Sequence, residues 1–372
     1  MAVLSRVLVV NAGSTSLKLS VVDPDEVSKA VTSLAEPPGP IDAVGHRVVH
    51  GGPTLVEPVP IDDAVLAEIG AMSSVAPLHN EPALEAIAEA RTALPDVPHV
   101  AVFDTAFHAT LPEQARTYAV PADWRERLGV RRYGFHGLAV AWAADQLPVP
   151  RLVVCHLGGG CSVSAVLDGR SVDTTMGLTP LEGVPMATRS GSVDPGALLY
   201  LLRERHLTVA DLDRSLEHES GLEALGGLED PLAFEVFTYR VAQAAAAMAV
   251  ALGGLDVLAF SGGVGENRPD VREAVAGRLG FLGGFRTEVV HDQSGDLGVV
   301  DEQERPAVGL VDDDQRIAED LGPQGIEREP DQVDDLEREE RRGDRHVEHV
   351  VPLVPVPEAL HRLPVRCSLP DA

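Results

Sequence analysis

Arg6-Val-Leu-Val-Val-Asn-Ala-Gly-Ser-Thr-Ser-Leu-Lys-Leu-Ser-Val-Val-Asp23 and Arg151-Leu-Val-Val-Cys-His-Leu-Gly-Gly-Gly-Cys-Ser-Val-Ser-Ala-Val-Leu-Asp168 are one device written twice. Each is a β-branched run, a Gly/Ser turn and a second run ending in aspartate, and the two align without a gap from Gly13/Gly158 to Asp23/Asp168. A single turn of this kind merely joins two strands. Two in register, at the heads of two domain-sized halves, predict two similar α/β domains facing one site. Glycine lets backbone N–H groups approach an anion closely, and Ser14, Thr15 and Ser16 add hydroxyl donors.

At 372 residues the chain has room for about two cores. A net charge of −28 disfavours nucleic acid and anionic membranes as partners, both of which demand a basic surface. It would also repel a nucleotide, so any anion site must be assembled from local arginines, lysines and backbone amides. Lysine occurs only as Lys18 and Lys29, and Lys18 falls inside the first repeat, as a phosphate-directed ammonium or a solvated strand residue. Cys155, Cys161 and Cys367 are an odd set without metal-type spacing, which fits reduced thiols. Met1 leads directly into a strand and no apolar run is long enough to span a bilayer, so a cytoplasmic location is expected.

Strands are predicted at 6–11, 17–23, 43–49, 98–103, 151–157, 162–168 and 255–260, and helices at 61–72, 81–93, 193–204, 232–252 and 269–279. Their alternation is the α/β pattern. Helices 193–204 and 232–252 read as packing elements. Pro148 and Pro150 break a helix ahead of the second repeat, dividing the chain into 1–147 and 148–310. Residues 311–372 form an atypical tail, crowded with Asp, Glu and Arg and then with proline, read either as a solvated, partly disordered segment or as the product of a shifted reading frame.

Several segments carry chemistry. His46-Arg-Val-Val-His-Gly-Gly52 ends a strand with Arg47, an anion clamp or an ion-pair partner. Phe103-Asp-Thr-Ala-Phe-His108 delivers Asp104 at a strand's carboxyl end, where ligands of open α/β sheets gather and where aspartates also cap helices. Tyr133-Gly-Phe-His-Gly137 sets His136 between glycines, as a donor to a developing phosphoryl charge or as a loop residue, in a segment too short for a regular element to bury it. The long Met176–Gly196 loop carries one arginine, Arg189. Ser261-Gly-Gly-Val-Gly-Glu-Asn267, between a strand and a helix, has the form of a nucleotide-phosphate turn.

In order along the chain, Asn11-Ala-Gly-Ser-Thr-Ser-Leu-Lys18, His46–Gly52, Ala76-Pro-Leu-His-Asn80, Phe103–His108, Tyr133–Gly137, Thr179-Pro-Leu-Glu-Gly to Thr188-Arg-Ser-Gly, and Gly262–Asn267 closely resemble the acetate kinases and the broader acetate/propionate kinase family. The resemblance covers roughly residues 5–283. It implies the fold of the acetate and sugar kinase/Hsp70/actin superfamily, two ribonuclease-H-like domains closing on ATP and substrate, with Mg²⁺ (or Mn²⁺) as cofactor and a homodimer joined through the second domain. By motif position it implies that Asn11 helps hold the metal and that Ser14, Ser16 and Lys18 face phosphate. His156, Leu157, Gly158, Gly159 and Gly160, with Gly263, Val264, Gly265, Glu266 and Asn267, would bind ATP. Arg47 and Arg189 would clamp carboxylate and phosphoryl group, Asp104 would be the catalytic acid, and His136 the stabiliser of the transition state. Val49, Leu78, Phe135 and Pro180 would form the pocket for the substrate's methyl group.

A short carboxylic acid is already ionised at neutral pH and needs no general base. Asp104 is therefore expected to orient Arg47, Arg189 or bound metal rather than to accept a proton. The sequence departs from the resembled pattern at Gly159, where asparagine is usual, and near 225–231, where a Ser-Asp-x-Arg segment is missing. Asp313 stands near the place of a metal-binding glutamate. The leading reading is reversible ATP-dependent phosphorylation of acetate or propionate. The alternatives are a nucleotide-binding paralogue without turnover and, more weakly, a sugar or polyol kinase.

Overall fold

The structure, a computed structural model, describes residues 6–12, 17–23, 26–34 and 39–291. Ser14, Ser16, Asp313 and the segment read as a tail lie outside the described residues.

The duplicated sequence folds as a duplicated sheet. In the first half β1 (Val7–Ala12), β2 (Leu17–Asp23), β3 (Glu26–Val31), β4 (Ala43–Val48), β5 (Val59–Pro60) and β6 (His99–Phe103) lie in the order β3-β2-β1-β4-β6-β5. In the second half β7 (Arg151–Leu157), β8 (Cys161–Leu167), β9 (Arg170–Thr174), β10 (Val257–Ser261) and β11 (Arg286–Val289) lie in the order β11-β10-β7-β8-β9. Three antiparallel strands followed by two parallel ones make the same topology each time, β3-β2-β1-β4-β6 matching β9-β8-β7-β10-β11. Register is fixed by alternation: Leu8, Val10 and Ala12 of β1 enter one core, and Val7 and Val9 enter the core on the other face.

The described helices are α1 (Asp63–Ala71), α2 (Pro77–Ala93), α3 (Glu113–Arg116), α4 (Ala122–Glu126), α5 (Gly137–Gln146), α6 (Pro195–Glu204), α7 (Val209–His218), α8 (Pro231–Leu252), α9 (Gly262–Asn267) and α10 (Pro269–Arg278). Strong local signals set the longest of them. Asp230 caps α8 by accepting from Leu232 and Ala233 N–H, Pro231 occupies the first turn, and Gly253 ends the helix at φ 67°. The alanine-rich face of α8 then packs with Phe237, Val241 and Met248 on the second sheet's Val153, Cys155 and Phe260.

Strands β3, β5, β9 and β11 and helix α7 extend the elements expected from sequence. The β8–β9 turn had a legible signal, since Asp168-Gly169 at φ 48° and 77° is the Asp-Gly pair that a tight hairpin requires. The glycine run after β10 is itself the short helix α9 rather than a turn leading to one.

Helix α5 is the helix expected ahead of Pro148, and its packing positions the site. Its Leu138 sits in the core of the first sheet with Val7 and Val100, whereas Val140, Ala143 and Ala144 pack on Leu152, Val154 and Val257 of the second. One helix thus wedges between both sheets, and only Leu147–Pro150 lies between α5 and β7, which share a core. The sequence from Thr105 leans the same way: His108 bonds Ser171 on β9 (2.7 Å), and Thr110 donates to the Ser171 carbonyl (2.8 Å).

Helix α6 differs from its expected role as a packing element. It buries no residue, and Leu199 and Tyr200 are about half exposed beside exposed Val193.

Candidate active site

Parallel strands β1, β4 and β6 bring Asn11, Arg47 and Asp104 to adjacent positions, because Asn11 pairs with Arg47 and Asp104 directly follows β6. The Arg47 guanidinium donates from Nε to Asp104 Oδ1 (3.0 Å), from Nη2 to Asp104 Oδ2 (2.6 Å) and from Nη1 to Asn11 Oδ1 (3.0 Å). Asp104 is 1% exposed, so the bidentate pair is formed away from water, where its geometry is tightly specified. Lys18 lies directly across from Asn11 on β2. Val49, just beyond β4, is buried in the same cluster as Phe135. Pro180 is buried in the loop before α6, and Leu78 lies in the first turn of α2.

His136 is held in a left-handed conformation (φ 60°) at the head of α5, a backbone state that non-glycine residues adopt only when their surroundings impose it. Three constraints do so. Gly137 N–H donates to the Asp104 carbonyl (2.9 Å), the preceding Phe135 carbonyl accepts from His108 Nε2 (3.0 Å), and His136 Nδ1 meets Ser162 Oγ on β8 (3.0 Å). The His108 tautomer follows from that geometry: a carbonyl only accepts, so Nε2 carries the proton and Nδ1 accepts from Ser171.

The second hairpin closes on the same place. A methyl group on Gly160 would lie 3.1 Å from His136 Nε2 and 3.8 Å from Arg189 Nη1, and the His156 ring centre is 4.5 Å from that of His136. Gly159 at the tip is exposed and faces open space. The start of α9 packs closely on the hairpin, since a Cβ on Gly262 would meet Leu157 backbone atoms at 2.8–3.1 Å. Helix α9 therefore starts against the end of β7, with Gly265 near Cys155 and Phe260, whereas Asn267 turns back to the Gly263 carbonyl (2.9 Å) and Glu266 is paired with His291 (3.1 Å).

Arg189 reaches across from the second half. Its Nη2 lies 3.2 Å from His79 Nε2 on α2, and because arginine only donates, that imidazole nitrogen is unprotonated. Its Nε pairs with Glu217 Oε2 on α7 at 2.8 Å. Arg47, Asp104, Asn11, His136, Gly160 and Arg189 are thus gathered at one place between the two sheets. The charges of Arg47 and Arg189 act together there: burial first, then the neighbouring His156 and these two guanidiniums, push His136 well below 6.5. Burial and the same two arginines hold His79 near 3. Both imidazoles are neutral at physiological pH.

Residues 34–315 match the family model described as the Acetokinase family. The chain belongs to that family. It is 44% identical over 263 residues to the acetate kinase of Protochlamydia amoebophila (strain UWE25), covering 65% of this chain and 66% of the relative. It is 49% identical over 273 residues to that of Deinococcus deserti, covering 67% and 68%. The aligned regions therefore span about two thirds of these relatives' lengths. The crystal structure of a propionate kinase from Francisella tularensis superposes with a TM-score of 0.70 at 31% identity, over 77% of this chain and 96% of that one. The two sheets are accordingly the paired α/β halves of an acetokinase.

Sequence reasoning missed the residues that hold this acetokinase site in place. His79 and Asn80 were visible within Ala76–Asn80 but had no assigned role. Asn80 receives His50 N–H (3.1 Å) and donates to the His50 carbonyl (3.0 Å), fixing the strand end that carries Arg47 and Val49. His50 in turn takes the Gly52 N–H at Nδ1 (2.9 Å) and reaches the Leu178 carbonyl of the second half with Nε2 (3.2 Å). Glu217 had no signal at all.

These buried imidazoles make stability depend on pH. Burial is the leading cause in each of His46 (about 3), His50 (about 4) and His108 (about 4), and His46 Nδ1 has no partner among the described residues. Between pH 6.5 and these values the unfolded chain binds protons that the folded chain does not, so stability falls as pH drops through that window and levels off below it. At pH 5 each of the three costs about 2 kcal/mol. Scanning calorimetry should show Tm declining steadily from pH 7 to pH 5, and a flat Tm across that range would contradict these burials.

Proposed function

We propose that this chain transfers the terminal phosphoryl group of ATP reversibly to a short-chain carboxylate, acetate or propionate, by direct in-line displacement. The observation that carries the proposal is the convergence of two arginines and a neutral histidine, drawn from both halves, on one place. A carboxylate oxygen attacks the γ-phosphorus, the bond to the bridging oxygen breaks, and ADP leaves with that electron pair. No proton has to move. The barrier is the approach of two anions, which fixed positive charge and donors lower by electrostatic stabilisation.

Arg47, locked by Asp104 and Asn11, presents a fixed donor edge to the carboxylate, and Arg189 receives the phosphoryl oxygens. His136 is neutral and its Nδ1 meets Ser162 Oγ; in the tautomer in which Ser162 donates there, Nε2 carries the proton and offers it as a hydrogen bond to the transferring group. Val49, just beyond the strand that carries Arg47, Phe135 of the same buried cluster and the buried Pro180 accommodate the short alkyl chain, and Leu78 on α2 is assigned to the same pocket by its motif. Asp104 acts as an orienting carboxylate, in keeping with its bidentate grip on Arg47. The hairpin His156–Gly160 and residues Gly263–Asn267 contact the nucleotide, with Ser14, Ser16 and Lys18 toward its phosphates.

The side-chain atoms that hold Arg47 are hard oxygens. Asn11 Oδ1 retains a lone pair beyond the one used by Arg47, which suits Mg²⁺, an ion that keeps most of its waters and binds through few protein groups. Such an ion would offset charge on the β- and γ-phosphates. Among the described residues no group of three or more His, Cys, Asp or Glu forms a cage for a metal.

Highly charged, membrane-impermeant substrates favour a cytoplasmic location. No described helix is long and apolar enough to cross a membrane. Exposed Leu199 and Tyr200 on α6 support a homodimer formed through the second half, and light scattering giving the monomer mass at micromolar concentration would exclude it.

Incubation with MgATP, each acid and hydroxylamine tests the reaction, since an acyl phosphate is trapped as its hydroxamate. Product is expected from acetate and propionate, with a preference below about 200-fold, the most that one methylene commands. No product from either acid defeats the proposal.

A further inference from the structure

We infer that Glu217 positions Arg189, doing for that guanidinium what Asp104 does for Arg47. The inference rests on the reading of Arg189 as a phosphoryl clamp, and it concerns how that clamp is aimed.

Arg189 sits in the loop between β9 and α6 and has no secondary structure of its own to fix it. Its backbone is fastened to the end of α7 and the segment beyond. Ser190 N–H donates to the Leu216 carbonyl (3.0 Å), Ser220 N–H to Thr188 (2.9 Å), Leu222 N–H to Met186 (2.9 Å) and Glu223 N–H to Ala187 (2.9 Å). Thr188 Oγ1 also donates to the Glu217 carbonyl (2.8 Å). The seam is tight: at Gly221 (φ +66°) a Cβ would lie 2.3 Å from the Met186 carbonyl oxygen and 2.8 Å from that of Arg189. Helix α7 is in turn anchored by the reciprocal cap of Thr208 and Asp211. The platform is thus rigid up to the residue before His218, and that residue is Glu217.

The side chains repeat the theme. Glu217 Oε2 forms a close ion pair with Arg189 Nε at 2.8 Å, both side chains being largely buried (12% and 15% exposed), without the alignment of a hydrogen bond, and Nη2 faces His79 Nε2 at 3.2 Å. Two of the three nitrogens are therefore committed, and the third, Nη1, is the one nearest Gly160 and the second hairpin. Arg47 is held on all three nitrogens, with Asp104 on Nε and Nη2 and Asn11 on Nη1. A free arginine carries several rotatable bonds, and holding it against a carboxylate removes that freedom before substrate arrives. The cost is that a carboxylate beside the clamp opposes an incoming anion. In a largely buried pair, orientation outweighs that opposition, because loss of one partner leaves the other's charge unsatisfied as well as mobile.

The test is a double-mutant cycle on the full chain. Binding of acetyl phosphate in the absence of ADP is measured by calorimetry for wild type, Glu217→Gln, Arg189→Ala and the double variant, with Tm for each, and kcat and KM for Glu217→Gln. Glu217→Gln is expected to weaken binding about tenfold in the wild-type background and less than twofold when Arg189 is absent. It should lower kcat and raise KM for acetyl phosphate while leaving KM for acetate, which Arg47 binds, unchanged. Glu219→Gln, on the same helix end but paired with Arg214 at the surface (3.3 Å), should behave as wild type in every assay.

Equal weakening by Glu217→Gln in both backgrounds would mean that it acts through the fold, and unchanged binding in the wild-type background would mean that it does not aim Arg189; either result overturns the inference. Wild-type binding by Arg189→Ala would instead remove the clamp reading on which the inference rests.

Discussion

Asp104→Asn lowers turnover by about 100-fold at saturating substrates and destabilises the protein by about 3 kcal/mol, with the shape of the pH–rate profile unchanged. The substitution keeps volume and removes charge. Asp104 is 1% exposed and holds two nitrogens of Arg47, so an amide leaves a buried guanidinium with half its partner and one donor facing another donor. Arg47 then loses the fixed aim that also depends on Asn11. A role in proton transfer predicts something different, the disappearance of a titrating limb from the profile. Steady-state kinetics across pH 5.5–9, together with chemical denaturation, separates the two. Near-wild-type turnover in this variant would refute both roles.

The second large effect is expected where intrinsic propensity and tertiary packing have opposite signs. Gly137 opens α5, and replacing a helical glycine by alanine normally gains about 1 kcal/mol. Here the added Cβ would lie 2.1 Å from the Asp104 carbonyl oxygen and 3.0 Å from Phe107 Cβ. Backbone cannot rotate aside, so relief requires α5 to separate from Asp104, which breaks the Gly137 N–H bond to that carbonyl. Overpacking of this kind costs about 1–3 kcal/mol or more, and it moves Asp104 and the strained His136 together. Gly137→Ala should therefore be net destabilised by about 2 kcal/mol and lose at least about 100-fold in kcat. Gly277→Ala within α10 is the counterpart, with nothing within 4 Å of its would-be Cβ, and should gain about 0.5–1 kcal/mol without kinetic change. Equal stability for the two variants would show that the close approach at Gly137 is absent in solution.

The histidines mark where sequence reading ran out. His136 was picked out by its flanking glycines, yet whether a buried imidazole is neutral or charged depends on what surrounds it. Here that is His156 from the second sheet, Arg47 from the first and Arg189 from a distant loop. His79 was legible as part of a motif, but its partner Arg189 is 110 residues away. Glu217 is one acidic residue among many in a strongly acidic chain, and only its 2.8 Å approach to Arg189 distinguishes it. Helix α6 failed in the other direction, since its apolar periodicity reads like that of a buried helix and only packing reveals that Leu199 and Tyr200 are left uncovered.

By itself the sequence determined the duplication, the α/β character of each half and the family. Strand alternation, glycine turns and capping residues act over a few neighbours, and seven motifs in fixed order carry the rest. The tertiary structure alone decided that α5 wedges between both sheets, that Arg47 and Arg189 each rest on a carboxylate, and that His46, His50 and His108 are sealed from water. Those outcomes depend on which distant surfaces meet, and burial and ion pairing take their strength from that three-dimensional neighbourhood rather than from position along the chain.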